Sequence, residues 1–270
     1  MTTQGGLGEV ITKDIFLFGP VTEQVTATRH PNGMDIWVVT HGWNNSNFYA
    51  FKVTPSGINA PVISTVDPYI GGSLVNGLGA LKFSQQGDRL LSSAYNQVLL
   101  YNFNNTTGIV NSPVELSNEG TVFNPGEFSP SGQFVYVTNG TSLMQYNLLA
   151  ADIVASATTI AENLNEIGLQ LAPNQKIYIT RTSPGHTISV INFPDLHGEN
   201  CGTYDNKRYL IVHNIGGGQV AEDILFDFKI TEHYTYQKIR NSFKFWLVFL
   251  IFDSRFISFA VLKKHSCTQF

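Results

Sequence analysis

Apolar and polar positions alternate along most of this chain in short runs, each cut off by a turn signal. In "QFVYVTN", Gln133 to Asn139, Phe134 and Tyr136 point to one side and Val135 and Val137 to the other. Side chains of a strand alternate between its two faces, so a run apolar on both predicts a strand sandwiched between neighbouring sheets. Similar runs recur, and they recur in register. "LKFSQQGDRLLSSA" (Leu81 to Ala94), "GEFSPSGQFVYVTN" (Gly126 to Asn139) and "LQLAPNQKIYIT" (Leu169 to Thr180) align across their turns. Each has an apolar residue (Phe83, Phe128, Leu171), then a turn residue four positions on (Gly87, Gly132, Gln175), then a strand. A fourth copy, "RHPNGMDIWVVT", puts Gly33 in that slot before Trp37-Val38-Val39.

The four slots lie 54, 45 and 43 residues apart. A second apolar or aromatic strand follows each copy, in "NFYAFKVTPSG", "QVLLYNFNNTTG", "LMQYNLLAAD" and "ISVINFPDLHG". A third apolar stretch follows in "APVISTV", "GIVNSPVEL" and "DIVASATTI". Three or four short strands per roughly 45 residues is the signature of a β-propeller blade. The reason is burial: one blade cannot cover its own apolar faces, so copies stack around an axis. The turns agree, since "SPSG" and "TPSG" set a proline of fixed φ beside a glycine that tolerates positive φ, and "NNTTG" suits a hairpin. The fold class expected is all-β, a β-propeller with four-stranded blades of YVTN/WD-repeat-like type.

"VYVTNGTSLMQYNL", Val135 to Leu148, resembles the YVTN-type propeller repeat down to Tyr136-Val137-Thr138-Asn139. "PVTEQVTATRHPNGMDIWVVTHGWNNSNFYAFKVTPSGINAPVIS" is similar to a propeller region in large secreted surface proteins of gliding Bacteroidota, cargo of type IX secretion that commonly continues into PKD modules and a gliding-motility-associated sorting domain. "LQLAPNQKIYIT", "ISVINFPDLHGENC" and "GGLGEV" share the likeness, which covers about Gly5 to Tyr204. It implies an exported, extracellular or cell-surface binding or structural module. It also implies six or seven blades, against four here and a trace of another, so an incomplete ring is expected. Neither an export signal nor PKD modules nor a sorting domain is visible in the chain, which reads as a truncated form of a longer protein. After "ENCGTY" the pattern is lost. Residues 1–204 are therefore assigned to the blades and 205–270 to a divergent C-terminal segment, a partial blade or a non-native tail.

Composition narrows the functions. Charged residues are only 13% and aromatics 12%, a strand-and-turn balance, and a net charge of −4 offers nothing to nucleic acid or an anionic membrane. Cys201 and Cys267 form either one bridge or two free thiols, and no Cys/His spacing fits zinc. "FKFWLVFLIFDSRFISFAVLKK", Phe243 to Lys264, is dense in Phe, yet its unbroken apolar core runs only from Phe245 to Phe252. A spanning helix needs about twenty residues, and Asp253 and Arg255 would sit mid-span, so a strand pair, a short helix or a tail is expected and membrane attachment is not.

"VVTHGWNNSNFYAFKV", Val38 to Val53, raises one chemical possibility. His41-Gly42-Trp43 resembles the oxyanion corner of a lipase, but that chemistry needs a nucleophile in Gly-x-Ser-x-Gly, and "GGSLV" (Gly71 to Val75) and "GTSLM" (Gly140 to Met144) lack the closing glycine. His41 is expected in a turn or between blades, and Trp43 between blades. "IGGGQ", Ile215 to Gln219, lacks the Lys-Ser/Thr of a phosphate loop. His186 and His197 near Asp195 are too common a triple to signal a metal. Asn44, Asn105 and Asn139 open glycosylation-type triplets that carry little weight in an Asn/Thr-rich chain. No catalytic, cofactor or metal residue is assigned, and no cofactor. The expected function is non-enzymatic recognition of a protein or glycan through blade loops, with self-association possible at open sheet edges. The alternative is a lactonase-like propeller hydrolase working at the central channel.

Overall fold

The computed structural model describes residues 9–10, 15–94, 97–117, 126–138, 142–162, 166–181, 187–209, 246–253 and 256–263. The chain divides into two compact units, residues 22–215 and residues 1–21 with 216–270. Two short strands come first, β1 (Glu9–Val10) and β2 (Ile15–Phe16). Blade I consists of β3 (Val21–Arg29), β4 (Ile36–Gly42), β5 (Asn45–Thr54), and β6 (Gly57–Ile58) and β7 (Val62–Ile70), which both pair with β5. Blade II runs β8 (Gly79–Phe83), β9 (Arg89–Ala94), β10 (Gln97–Asn104) and β11 (Ile109–Ser117). Blade III runs β12 (Glu127–Phe128), β13 (Phe134–Thr138), β14 (Leu143–Asn147) and β15 (Thr158–Ala161). Blade IV runs β16 (Glu166–Leu171), β17 (Ile177–Arg181), β18 (Thr187–Ile191) and β19 (Thr203–Tyr209). Neighbours in sequence are neighbours in the sheet throughout blades II to IV, and in blade I up to β6. The outer strand of blade IV crosses the composition boundary at residue 204.

The repeat predicted from the apolar pattern is a repeat of backbone. Phe83, Phe128 and Leu171 each end the first strand of a blade and pair with Leu90, Val135 and Ile177 on the second. The turn that follows is built alike in all four blades. Its third N–H after the opening residue donates back to that residue's carbonyl, as Gly33 to His30, Gly87 to Ser84, Gly132 to Ser129 and Gln175 to Ala172. That geometry demands a left-handed residue: φ is +72° at Gly33, +70° at Gly87, +75° at Gly132 and +64° at Gln175. Glycine adopts it without strain, and Gln175 does so against its side chain.

Burial follows the same repetition. Trp37, Val39, Phe48 and Ala50 of blade I pack on Leu81, Leu90, Leu99 and Tyr101 of blade II. Leu91, Val98 and Leu100 of blade II then meet Phe128, Val135 and Val137 of blade III. Phe134, Tyr136 and Leu143 of blade III meet Leu169, Ile177, Ile179 and Ile191 of blade IV. Alternate residues of β13 thus serve two different cores, which is why both of its faces are apolar. Each cluster joins consecutive sheets, and among the described residues none joins the first blade to the fourth. On the face of blade IV directed away from blade III, Tyr178 and Val190 are half-buried, whereas Tyr136 and Gln145 at the matching positions of blade III are fully enclosed. The unit is a four-bladed β-propeller arc.

The second unit is a separate sheet. β20 (Trp246–Asp253) and β21 (Phe256–Lys263) form a hairpin in unbroken register, and β1 and β2 pair with β21. The described part of the Phe-rich stretch, residues 246–253 and 256–263, is therefore a strand pair. Among the described residues no helix is long and apolar enough to cross a membrane.

Candidate functional site

Antiparallel strands reverse direction at each turn, so the first-to-second turn and the third-to-fourth connection of every blade emerge at the same end. Among the described residues, most of the exposed large apolar side chains lie at this end. The third-to-fourth connection is a tight turn in blade II (105–108) and grows to 148–157 in blade III and 192–202 in blade IV. Leu149 (75% exposed) and Val154 project from the first of the long connections, Phe193 (59%) and Leu196 from the second.

The blade IV connection is gripped from blade III. Gln145 on β14, wholly buried, donates from Nε2 to the Leu196 carbonyl and accepts the Gly198 N–H at Oε1, both at 2.8 Å. The same amide donates to the Tyr136 hydroxyl, which in turn donates to the Pro194 carbonyl at 2.9 Å. Asp195 accepts the Ser131 N–H at 3.0 Å and the Ser131 hydroxyl at 2.6 Å. Burial alone would raise the Asp195 pKa, but hydrogen bonds from the Ser131 hydroxyl and N–H and from the Ser129 hydroxyl outweigh it and hold the carboxyl below its usual range. The exposed Phe193 and Leu196 thus sit on a loop anchored at several points. Sequence reasoning missed this anchor, although Gln145 stands out in "LMQYNL" as a polar residue beside Tyr146 in an apolar strand.

The inner strands carry a second polar arrangement. The position before each slot residue is Thr28 in blade I, Lys82 in II, Glu127 in III and Gln170 in IV. Lys82 Nζ donates to Glu127 Oε2 at 2.8 Å and to the Leu169 carbonyl at 3.2 Å. Glu127 also accepts the Leu171 N–H at 2.7 Å and the Phe128 N–H at 3.0 Å. One carboxylate thereby ties blades II, III and IV together, and both of its oxygens are engaged. Between blades I and II the tie is Gln24, whose amide donates to the Ser93 carbonyl at 2.9 Å and accepts from the Ser92 hydroxyl at 3.0 Å.

The residues singled out in the sequence are dispersed. His41 is the penultimate residue of β4, fully buried with its ring edge-on to Phe48 at 4.7 Å, and Nδ1–H donates to the Gly42 carbonyl at 2.8 Å. Its Nε2 is buried with no hydrogen-bond partner, and desolvation lowers its pKa to about 4 despite the opposing pull of the Gly42 carbonyl. A neutral imidazole on an apolar ring is a packing group. Trp43 and Asn44 form the hairpin between β4 and β5, with Asn44 at φ +60°, and the Trp43 ring lies against Gly77 of the 3-10 turn Leu74–Gly77. The "HGW" stretch is therefore the end of a strand running into a hairpin turn within a blade.

Gly71 and Gly72 of "GGSLV" lie in the connection between blades I and II, where Gly72 takes φ +79°. Gly140 and Thr141 of "GTSLM" fall outside the described residues, and Leu143 and Met144 begin β14. Asn44 and Asn105 both lie in turns. His197 Nε2 lies 3.2 Å from the Thr158 hydroxyl while Asp195 serves Ser131, so the two are engaged separately. Cys201 is a buried free thiol whose pKa burial pushes up, which makes it a poor nucleophile. His186, Cys267, Asn139 and Ile215 to Gln219 lie outside the described residues. Among the described residues no three His, Cys, Asp or Glu side chains gather to hold a metal.

No protein-family model matches the chain, and no curated protein matches it. It is similar to the PQQ domain of pyranose dehydrogenase from Coprinopsis cinerea at 11% identity, over 64% of this chain and 46% of that one, with a TM-score of 0.42. It is similar to a functionally unknown protein from Desulfotomaculum acetoxidans at 17% identity, over 65% and 52%, TM-score 0.42. It is also similar to the periplasmic gluconolactonase of Pseudomonas aeruginosa at 14% identity, over 64% and 49%, TM-score 0.41. The chain spans about half the length of these structures. Four successive meanders, with one turn, one register and shared cores, make it a β-propeller.

Proposed function

We propose that the chain is a non-enzymatic recognition module, the propeller part of a bacterial secreted or cell-surface protein of the YVTN type found in Bacteroidota, which binds a protein or glycan partner through its blade loops. The observation that carries this reading is the pair of long connections at one end of blades III and IV. They expose Leu149, Val154, Phe193 and Leu196 to solvent, while Gln145 and Asp195 hold the second loop in place. Exposed apolar side chains on anchored loops suit a binding surface, because partner contact then costs little ordering entropy. The ionic groups on the inner strands support the same reading, since Lys82 and Glu127 are occupied by each other and by backbone.

The test compares the chain with Phe193→Ser/Leu196→Ser on a glycan array and on immobilised cell-envelope proteins. A reproducible ligand lost in the double variant, with melting unchanged, supports the proposal. Turnover of lactones or esters by the unmodified chain, abolished by chelator, would replace it with the hydrolase reading.

A further inference from the structure

The end of blade I opposite the long connections carries an uncharged aromatic surface. Two segments close on each other there, the Trp43-Asn44 hairpin and the connection that follows β7. The Asn44 N–H donates to the Ile70 carbonyl at 2.8 Å, the Gly72 N–H to Asn44 Oδ1 at 3.1 Å, and Asn76 Nδ2 to the Gly71 carbonyl at 2.8 Å. Two glycines make this fit possible. A Cβ on Gly71 would stand 2.8 Å from both Asn44 Cα and Tyr69 Cε1, and one on Gly77 would stand 2.9 Å from the Trp43 ring.

The knot holds apolar side chains out to solvent. Leu74, 84% exposed, is the most exposed large apolar side chain among the described residues, and Tyr69 is 60% exposed. Trp43 is half-buried. The Tyr69 ring is steadied by its hydroxyl, which lies 3.5 Å from Asn44 Oδ1. Beside these groups, Asn44 Nδ2, Asn76 Oδ1 and the Ser73 hydroxyl have no hydrogen-bond partner among the described residues. Neither Trp43 to Phe51 nor Pro68 to Leu81 contains an Asp, Glu, Lys, Arg or His. Asp67, two residues before Tyr69, is exposed.

A rigid aromatic ring on an anchored turn gives contact area at little cost in ordering entropy. A hexose offers a C–H face to such a ring and hydroxyls to amides and hydroxyls at its rim. A wholly apolar partner would instead bury the Asn44 and Asn76 amide atoms unpaired, which is unfavourable. An anionic sugar would meet the Asp67 carboxylate, a like charge. We propose that the surface formed by Tyr69, Leu74 and the Trp43-Asn44 hairpin docks a neutral hexose glycan, with a sugar ring on Tyr69 and its hydroxyls on the open amide and hydroxyl groups. It is a second site, at the other end of the blades from the loops that bear Phe193 and Leu196, and does not rest on them.

The experiment uses the full chain and ligand-observed saturation-transfer NMR with cellohexaose, maltohexaose and an oligogalacturonate, each at about one millimolar, where weak glycan binding is detectable. At least one of the two neutral hexaoses is expected to bind, and the oligogalacturonate to bind weaker by about tenfold or more. Tyr69→Ala should cut hexaose binding by about tenfold and Leu74→Ser by several-fold, whereas Tyr69→Phe, which keeps the ring, should retain it. Both Tyr69 and Leu74 are exposed, so the melting curves should stay unchanged. Phe193→Ser/Leu196→Ser should leave hexaose binding intact, which separates this site from the loop surface. The proposal is overturned if neither hexaose binds, if the oligogalacturonate binds as well as they do, or if Tyr69→Ala has no effect. Loss of hexaose binding in the loop variant would likewise overturn it by moving the site to the loops. If Tyr69→Ala instead abolishes retention of a cell-envelope protein while neither hexaose binds, the surface is a protein contact and the glycan assignment fails.

Discussion

Tyr101 and Tyr146 hold the same position on the third strands of blades II and III, and each reaches back to the blade before it. The Tyr101 hydroxyl donates to the Asp67 carbonyl on β7 at 3.1 Å, and that of Tyr146 donates to the Leu116 carbonyl on β11 at 2.7 Å. The Tyr-Asn pairs in "LLYNF" and "MQYNL" are the trace of this contact in the sequence. A phenol suits the task because its ring fills the inter-blade core while its tip satisfies a strand carbonyl there.

Tyr101→Phe and Tyr146→Phe are each expected to lower unfolding free energy by about 1 kcal/mol, since each leaves a carbonyl without its donor but keeps the ring. Urea unfolding of the two single variants and the double variant measures it. The contacts lie at different blade junctions, so the two losses should add.

The slot turns yield a paired test. A Cβ on Gly33 would meet nothing within 4 Å, so Gly33→Ala isolates the left-handed backbone and should cost about 1 kcal/mol. Gln175→Gly relieves the same conformation at φ +64° but adds unfolded-state freedom, so it should be neutral or stabilising by up to about 1 kcal/mol. Opposite signs at equivalent positions, read from denaturant midpoints, would establish that the two turns are one structure.

Glu127 joins three blades through one carboxylate. Glu127→Ala removes an acceptor from Lys82 Nζ and from two backbone N–H groups, and should destabilise by about 3–5 kcal/mol. Lys82→Met should cost less, because the carboxylate keeps both backbone donors. A melting temperature lower for Lys82→Met than for Glu127→Ala would contradict this ordering.

His41 makes the fold sensitive to acid. Burial holds its pKa at about 4 in the folded chain, below the ordinary imidazole value of 6.5. The unfolded chain therefore binds more protons between these values, and stability falls as pH drops through that window, by up to about 1.4 kcal/mol per pH unit. The contribution is fully present above pH 6.5. Unfolding measured from pH 7.5 to 4.5 should show a shallower slope for His41→Gln than for the unmodified chain.

The loop anchor can be loosened at Gln145, whose amide also donates to the Tyr136 hydroxyl. Gln145→Leu removes both hydrogen bonds to residues 196 and 198 while keeping an apolar filler in β14. Limited proteolysis should then cut within 192–202 several-fold faster, with the unfolding free energy lowered by about 1–3 kcal/mol for the unsatisfied groups.

The strands, their turns and their recurrence were legible in the chain because they rest on local constraints. Alternation of apolar residues sets which side of a strand is buried, as at Phe134 to Val137, and a glycine marks where φ must be positive, as at Gly33, Gly87 and Gly132. The apolarity of both faces even foretold that blades stack on two sides. What the chain did not reveal are contacts between residues far apart in it: Gln145 with Leu196, and Lys82 with Glu127. The outer strand Thr203–Tyr209 likewise escaped notice, since its residues follow no apolar alternation and it is placed by pairing with β18.

Sequence by itself determined the repeating unit, because strand periodicity and turn conformation act over a few neighbouring residues. Tertiary structure alone decided which polar side chains meet at each junction and which loop is held. Those outcomes depend on side-chain length measured across two stacked sheets, a distance that no local pattern encodes.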